Sequence, residues 1–196
     1  LHEEQRQWAD ALRVRREIAK LDSGRRAEDK QILAFLTNEI GTSRARNGEA
    51  DAAGRTFSEA LDIDPQTAPA YLNLGDVRER QGNIAGAVEA WESLARAVPD
   101  RAHLAFERLE RAYAALGHPR RFADICLRLI AQSPQDWRAR LALSKHLAAQ
   151  SRHREALDHL LEAIPMNPHG LAIHQQIWQT LSALGMPILR TIAGSG

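Results

Sequence analysis

Residues 65–99, PQTAPAYLNLGDVRERQGNIAGAVEAWESLARAVP, decide how the rest of the chain is read. The segment begins and ends on proline and carries a turn residue at Gly82. After the turn, Ala87, Trp91 and Leu94 recur at three- and four-residue steps, the spacing of one helix face. Before it, Tyr71, Leu74 and Gly75 mark a partner helix. Proline ends the pair, because it lacks the backbone N–H that helix continuation needs and biases its predecessor away from helical angles. Glycine inside a helix costs about 1 kcal/mol relative to alanine, so Gly75 predicts close approach of the two helices.

The same unit recurs in both directions. Pro65, Pro99, Pro134 and Pro168 are spaced 34, 35 and 34 residues apart. A second ruler, Gly48, Gly82, Gly117, Ser151 and Gly185, runs at 34, 35, 34 and 34. The extra residue falls in the same repeat on both, which places one insertion near Asp100 to Ala102. Ala53, Phe57 and Ala60 repeat the second-helix pattern, and Ile40-Gly41 repeats Leu74-Gly75.

Tyr71-x2-Leu74-Gly75-x6-Gly82-x4-Ala87-x3-Trp91-x7-Pro99 resembles the tetratricopeptide repeat nearly residue for residue. The resemblance implies an all-α superhelical solenoid of about ten helices over residues 1–191, with repeats at about 25–67, 68–102, 103–136 and 137–170. Trp8 to Leu21, closed by Asp22-Ser23-Gly24, resembles a second helix lacking its first, and 171–185 a first helix lacking its second. Residues 192–196 read as a flexible tail. The repeats also depart from the pattern: Thr37 replaces the first aromatic, Glu110 the small residue, and Ser151 the turn glycine. With both ends cut, the isolated chain is expected to self-associate through one end or to fray there.

Composition narrows the chemistry. The 196 residues are 44% apolar, enough for a continuous core, and 26 basic against 25 acidic side chains leave no global field toward nucleic acid or membrane. No stretch approaches the roughly 20 apolar residues of a bilayer span. The start Leu1-His2-Glu3-Glu4 has neither methionine nor a signal-like run and reads as an excerpt of a longer soluble protein. The lone Cys126 rules out an internal disulfide and reads as a packed hydrophobe. His153/His159 and His169/His174 lack the i, i+4 spacing of a helical zinc site. No phosphate-binding loop, dinucleotide fingerprint or nucleophile elbow appears, so no catalytic centre, metal or cofactor is expected. Glu28, Asp29 and Glu89 read as solvated carboxylates and the four tryptophans as core. Arg13, Arg15 and Arg16, with Arg25 and Arg26 beyond, read as a solvated helix end, because Glu17, Asp22, Glu28 and Asp29 interleave and no aromatic stacking residues accompany the arginines.

In a tetratricopeptide array the first helix of each pair lines the concave surface. The groove is then expected to carry Asn38 and Thr42, Asn73 and Asp76, Arg108 and Arg111, Arg138 and Lys145, and Gln175 and Gln179. Arg108, Arg111, Arg138 and Lys145 would form a cationic patch with no carboxylate on the same faces to neutralise it, favouring an anionic protein or peptide segment. Asn73 and Arg108 match two positions of the carboxylate clamp of chaperone-binding repeats, but Asn38, Thr42 and Leu104 depart from it.

A narrower resemblance lies in Trp8-Ala9-Asp10-Ala11-Leu12, Arg15-Arg16, Asp136-Trp137-x-Ala139-Arg140-Leu141 and Pro168-His169, which are similar to the repeat region of the bacterial lipopolysaccharide assembly protein B family. That likeness implies a non-enzymatic adaptor at the cytoplasmic face of the inner membrane, with an amino-terminal anchor, a carboxy-terminal rubredoxin-like metal module, and control of a deacetylase's proteolysis. Its ligand could be a lipopolysaccharide-related group. The alternatives are a generic peptide-binding or co-chaperone module and the regulatory arm of an enzyme whose catalytic domain lies elsewhere.

Overall fold

The computed structural model describes residues 2–21 and 26–186. Among them are ten α-helices: α1 (His2–Leu21), α2 (Arg26–Arg46), α3 (Ala50–Ile63), α4 (Ala68–Arg80), α5 (Ile84–Ala97), α6 (Phe106–Ala115), α7 (Arg120–Gln132), α8 (Trp137–Ala149), α9 (His153–Ala163) and α10 (Leu171–Ala183). The expected closure at Asp22-Ser23-Gly24 and the 192–196 tail lie outside the described residues. The chain divides into two compact units, Leu1–Gly117 and His118–Gly196.

Both rulers have a backbone cause. Among the described residues positive φ occurs at Gly48, Gly82, Gly117 and Gly185, and at one other residue, Ser151 with φ 61°. These are the five turn positions, where the chain must enter the left-handed region to reverse. The prolines follow helix ends: α3 stops at Ile63 before Pro65, α5 at Ala97 before Pro99, and α7 at Gln132 before Pro134. The inserted residue falls in a 3-10 segment, Pro99–Ala105, so that α6 begins only at Phe106. Asn83 and Asp136 cap α5 and α8 by accepting hydrogen bonds from first-turn backbone N–H groups.

In the first unit, α2/α3 and α4/α5 are the tight hairpins. A Cβ added to Gly41 would lie 2.6 Å from the Phe57 ring, and one added to Gly75 would lie 2.1 Å from Trp91 Nε1. Each glycine thus leaves room for the aromatic side chain of its own partner helix. Trp91 and Leu94 are fully buried, and the indole N–H donates to the Leu72 carbonyl at 3.4 Å. Asp29 is not solvated as its sequence context suggested: it is buried and paired with the half-buried Arg15 of α1. That pairing also removes Arg15 from the expected solvated helix end.

In the second unit, Leu141, Leu160, Ala163 and Ile173 form a core against which Trp137, Ile164 and Ile177 pack. Cys126 is fully buried, and the His146 ring meets Phe122 edge-on at 5.3 Å. The reading of all four tryptophans as core needs correction. Trp91 is fully buried and Trp8 and Trp137 are half-buried, but Trp178 is 53% exposed. It projects from the side of α10 opposite Ile173 and Thr180, which pack inward.

Candidate binding groove

The first helices of the first unit, α2, α4 and α6, bring the expected groove residues together, with two changes of partner. Asn38 is 3% exposed and does not face an open groove. Its Oδ1 accepts from Asn73 Nδ2 at 3.0 Å, and its Nδ2 donates to Glu39 Oε1 at 3.1 Å. The reason is register: 34 residues before Asn73 stands Glu39, so Asn38 turns one helical position inward. Asn73 also reaches Thr42 Oγ1 at 3.4 Å, which ties α4 to α2 through amide and hydroxyl groups.

The expected bare cationic patch is not what the first unit holds. Arg108 sends a two-pronged bond to Asp76, Nε to Oδ1 at 2.6 Å and Nη2 to Oδ2 at 3.0 Å. Arg111 Nη2 lies 2.9 and 3.0 Å from the two oxygens of Glu79. Hydrogen bonding to Asp76 holds the Arg108 pKa above its ordinary value. Sequence reasoning missed Glu79, which stands nearly one turn beyond Asp76 and carries the second carboxylate to the same face.

The outcome is a groove of mixed charge. Asp76, Glu79, Arg80, Glu107, Arg108 and Arg111 line an open depression of about 340 Å³. A smaller one of about 140 Å³, with Thr42, Arg46 and Asn73 on its wall, shares Asp76 and Arg80 with it. Arg80 is exposed and, among the described residues, no carboxylate reaches it. The signal for it was present in sequence, since Arg80 lies 34 residues after Arg46 in the groove register.

The remaining expected residues belong to the second unit. Arg138 and Lys145 are exposed on α8, the Arg138 guanidinium lying 4.6 Å from the centre of the Trp137 ring in a cation–π contact. Gln175 and Gln179 are exposed on α10, whereas Gln176 between them is buried. Among the described residues no group of three His, Cys, Asp or Glu could hold a metal ion, and no helix is long and apolar enough to cross a membrane.

Comparison with known proteins agrees with this architecture. Tetratricopeptide repeat models match residues 38–102 and 126–188. A crystal structure of MamA protein superposes with a TM-score of 0.52 at 20% identity, over 78% of this chain and 83% of that one. The Pseudomonas aeruginosa pilF structure gives 0.53 at 14% identity, over 80% and 71%. At such identities the likeness is one of fold. A mouse protein O-mannosyl-transferase, TMTC1, is 27% identical over 116 residues, 57% of this chain, and the match spans only 12% of that protein's length.

Proposed function

The chain belongs to the tetratricopeptide repeat family, and from that premise we propose that it is a non-catalytic scaffold whose α2–α4–α6 groove holds an extended segment of a protein partner. The observation that carries this reading is the groove itself. Rigid helices present Asn73, Asp76, Glu79, Arg108 and Arg111 in mutually fixed positions, with Arg80 and Glu107 on the rim. Pre-paired side chains lose little freedom when a ligand binds, which favours recognition over a flexible charged surface. Because the arginines are already matched by carboxylates, the fitting segment carries both signs, an acidic residue opposite Arg80 and a basic one opposite Glu107.

Panning a displayed peptide library against the intact chain tests this. Enriched peptides should lose about tenfold in affinity or more on the double substitution Asn73→Ala, Arg80→Glu. Binders indifferent to both substitutions, or a library that yields none, would count against the groove. The narrower reading, an adaptor of lipopolysaccharide assembly at the cytoplasmic face of the inner membrane, is supported only by the residues of the narrower sequence resemblance. In the complete gene, an anchor helix and two Cys-x2-Cys pairs flanking this segment would favour it, and a catalytic domain in their place would favour the regulatory arm of an enzyme.

A further inference from the structure

A second groove lies on another side of α2. Leu12 of α1 and Leu33 and Ile40 of α2 form its floor, and Arg13, Arg16, Lys20 and Arg44 stand around it with a single carboxylate, Glu17; the cavity measures about 540 Å³. At 100° per residue, Ile40 and Arg44 face well away from Thr42 and Arg46, so this surface is separate from the mixed-charge groove. Arg13, Arg16 and Lys20 recur at three- and four-residue steps along α1, which sets a row of positive charge along one wall.

The equivalent groove one hairpin further on lacks this excess of positive charge. Ile40 and Arg44 correspond to Leu74 and Arg78, 34 residues later, and α3 takes the place of α1. There Asp51, Glu59 and Asp62 stand beside Arg55 and Arg78, with Ser58 and Asp62 where the first groove has Arg16 and Lys20. The α1 cations of the first groove are held by exchangeable partners, Arg13 by Asp10, Lys20 by Glu17 and Arg16 by Glu59, every one of these side chains at least half exposed, whereas Arg44 donates to the buried Thr56 hydroxyl at 2.5 Å. Exposed pairs of that kind contribute little and give way readily to an incoming carboxylate.

We propose that the groove between α1 and α2 is a second docking site, which takes an acidic amphipathic helix of a partner protein. Its apolar side chains lie on Leu12, Leu33 and Ile40, and its carboxylates face Arg13, Arg16, Lys20 and Arg44. The lining of α1 runs from Ala9 to Lys20, about 16 Å or three helical turns. An open trough of that length matches a helix face with anchors at i, i+3/i+4 and i+7. An acyl chain, by contrast, calls for a pocket that encloses most of its surface.

The test uses the intact chain and a fluorescein-labelled synthetic helix of about 14 residues, roughly 21 Å long, with a leucine stripe flanked by glutamates. Fluorescence anisotropy should show it binding at least about tenfold more tightly than a scrambled peptide of equal charge, and than the same peptide with lysine for glutamate. The triple substitution Arg13→Glu, Arg16→Glu, Lys20→Glu should abolish that preference, while Arg55→Glu in the neighbouring groove leaves it intact. A photo-reactive version of the peptide on the unsubstituted chain should cross-link to α1 and α2, which keeps the proposal testable if the triple variant folds poorly. Equal binding of the scrambled peptide, or cross-links confined to α4 and α6, overturns it. So does binding to phosphatidylglycerol vesicles with none to the peptide, which assigns the cations to a lipid surface. Loss of peptide binding in the Asn73→Ala, Arg80→Glu variant, with the triple variant unaffected, assigns the peptide to the mixed-charge groove instead.

Discussion

The hairpins α4/α5 and α8/α9 are the same repeat filled in two ways. At the crossing of the first, Gly75 faces Trp91, and the fully buried indole takes the space that a β-carbon would need. At the same register 69 residues later stand Ser144 and Leu160, both fully buried, with the serine hydroxyl satisfied by the Leu141 carbonyl at 3.0 Å. A large side chain against none has become a medium one against a small one. What recurs is the volume at the crossing, because a close-packed interior penalises both a void and an overlap. The same exchange occurs near the start of the first helix. Tyr71 is buried in α4, while its counterpart Arg140 in α8 is 8% exposed, paired with Glu162 and bonded to the Pro134 carbonyl at 3.2 Å.

The contrast can be broken at its aromatic partner first. Trp91→Ala should destabilise by about 3 to 5 kcal/mol, since it empties the α4/α5 crossing and glycine cannot fill the gap. A loss below about 1 kcal/mol in denaturant unfolding would show that the crossing is not held by the indole. Next comes Gly75→Ala, whose new methyl group meets the indole and should cost about 1 to 3 kcal/mol despite alanine's better helix propensity. Ser144→Ala should stay within about 1 kcal/mol, because the site already holds a β-carbon and only a hydroxyl bond is lost. Equal effects at the two positions would remove the distinction between the hairpins.

The turns sharpen the comparison with a gain. Ser151 adopts φ 61° where α4/α5 has Gly82 at 79°. A left-handed conformation costs a side-chain-bearing residue about 1 to 2 kcal/mol, partly offset by the greater freedom of glycine in the unfolded chain. Ser151→Gly should therefore raise stability by up to about 1 kcal/mol, and a fall in melting temperature would contradict the strain.

The smallest expected effect is one of pH. Burial holds the His159 pKa in α9 below its ordinary value, and its Nδ1 is buried without a hydrogen-bond partner. The folded state therefore favours the neutral ring. Its contribution is present above the unfolded value near 6.5 and is lost as pH falls below it, because the unfolded chain then binds the proton more readily. His159→Gln should flatten the stability profile between about pH 5 and 7. An unchanged slope in that interval would place the titrating group elsewhere.

Much of this molecule was legible in its sequence. The Gly/Ser ruler located the five turns inside the hairpins, each of which has a positive φ, because backbone reversal is a local demand that glycine meets at the lowest cost, and the proline ruler located the ends of second helices. Gly41 and Gly75 announced close crossings for a related reason: glycine weakens a helix interior, and at these two positions an aromatic ring occupies the space of the missing side chain. Side-chain partnership was harder to read. Asn38 and Glu39 are adjacent in sequence, and only the packing of α2 against α4 turned the first inward toward Asn73 and left the second in the groove register. Arg108 and Arg111 could be placed on a groove face, but their neutralisation by Asp76 and Glu79, each 32 residues away, arises from the stacking of separate hairpins. Arg15 and Asp29 were each read as solvated, yet they meet where α1 packs on α2. The sequence by itself determined the repeat, its turns and its helix faces, all of which rest on local backbone geometry and residue volume. Which charges stay free and which cancel was decided only by tertiary structure, since that depends on how far one helix is rotated against the next.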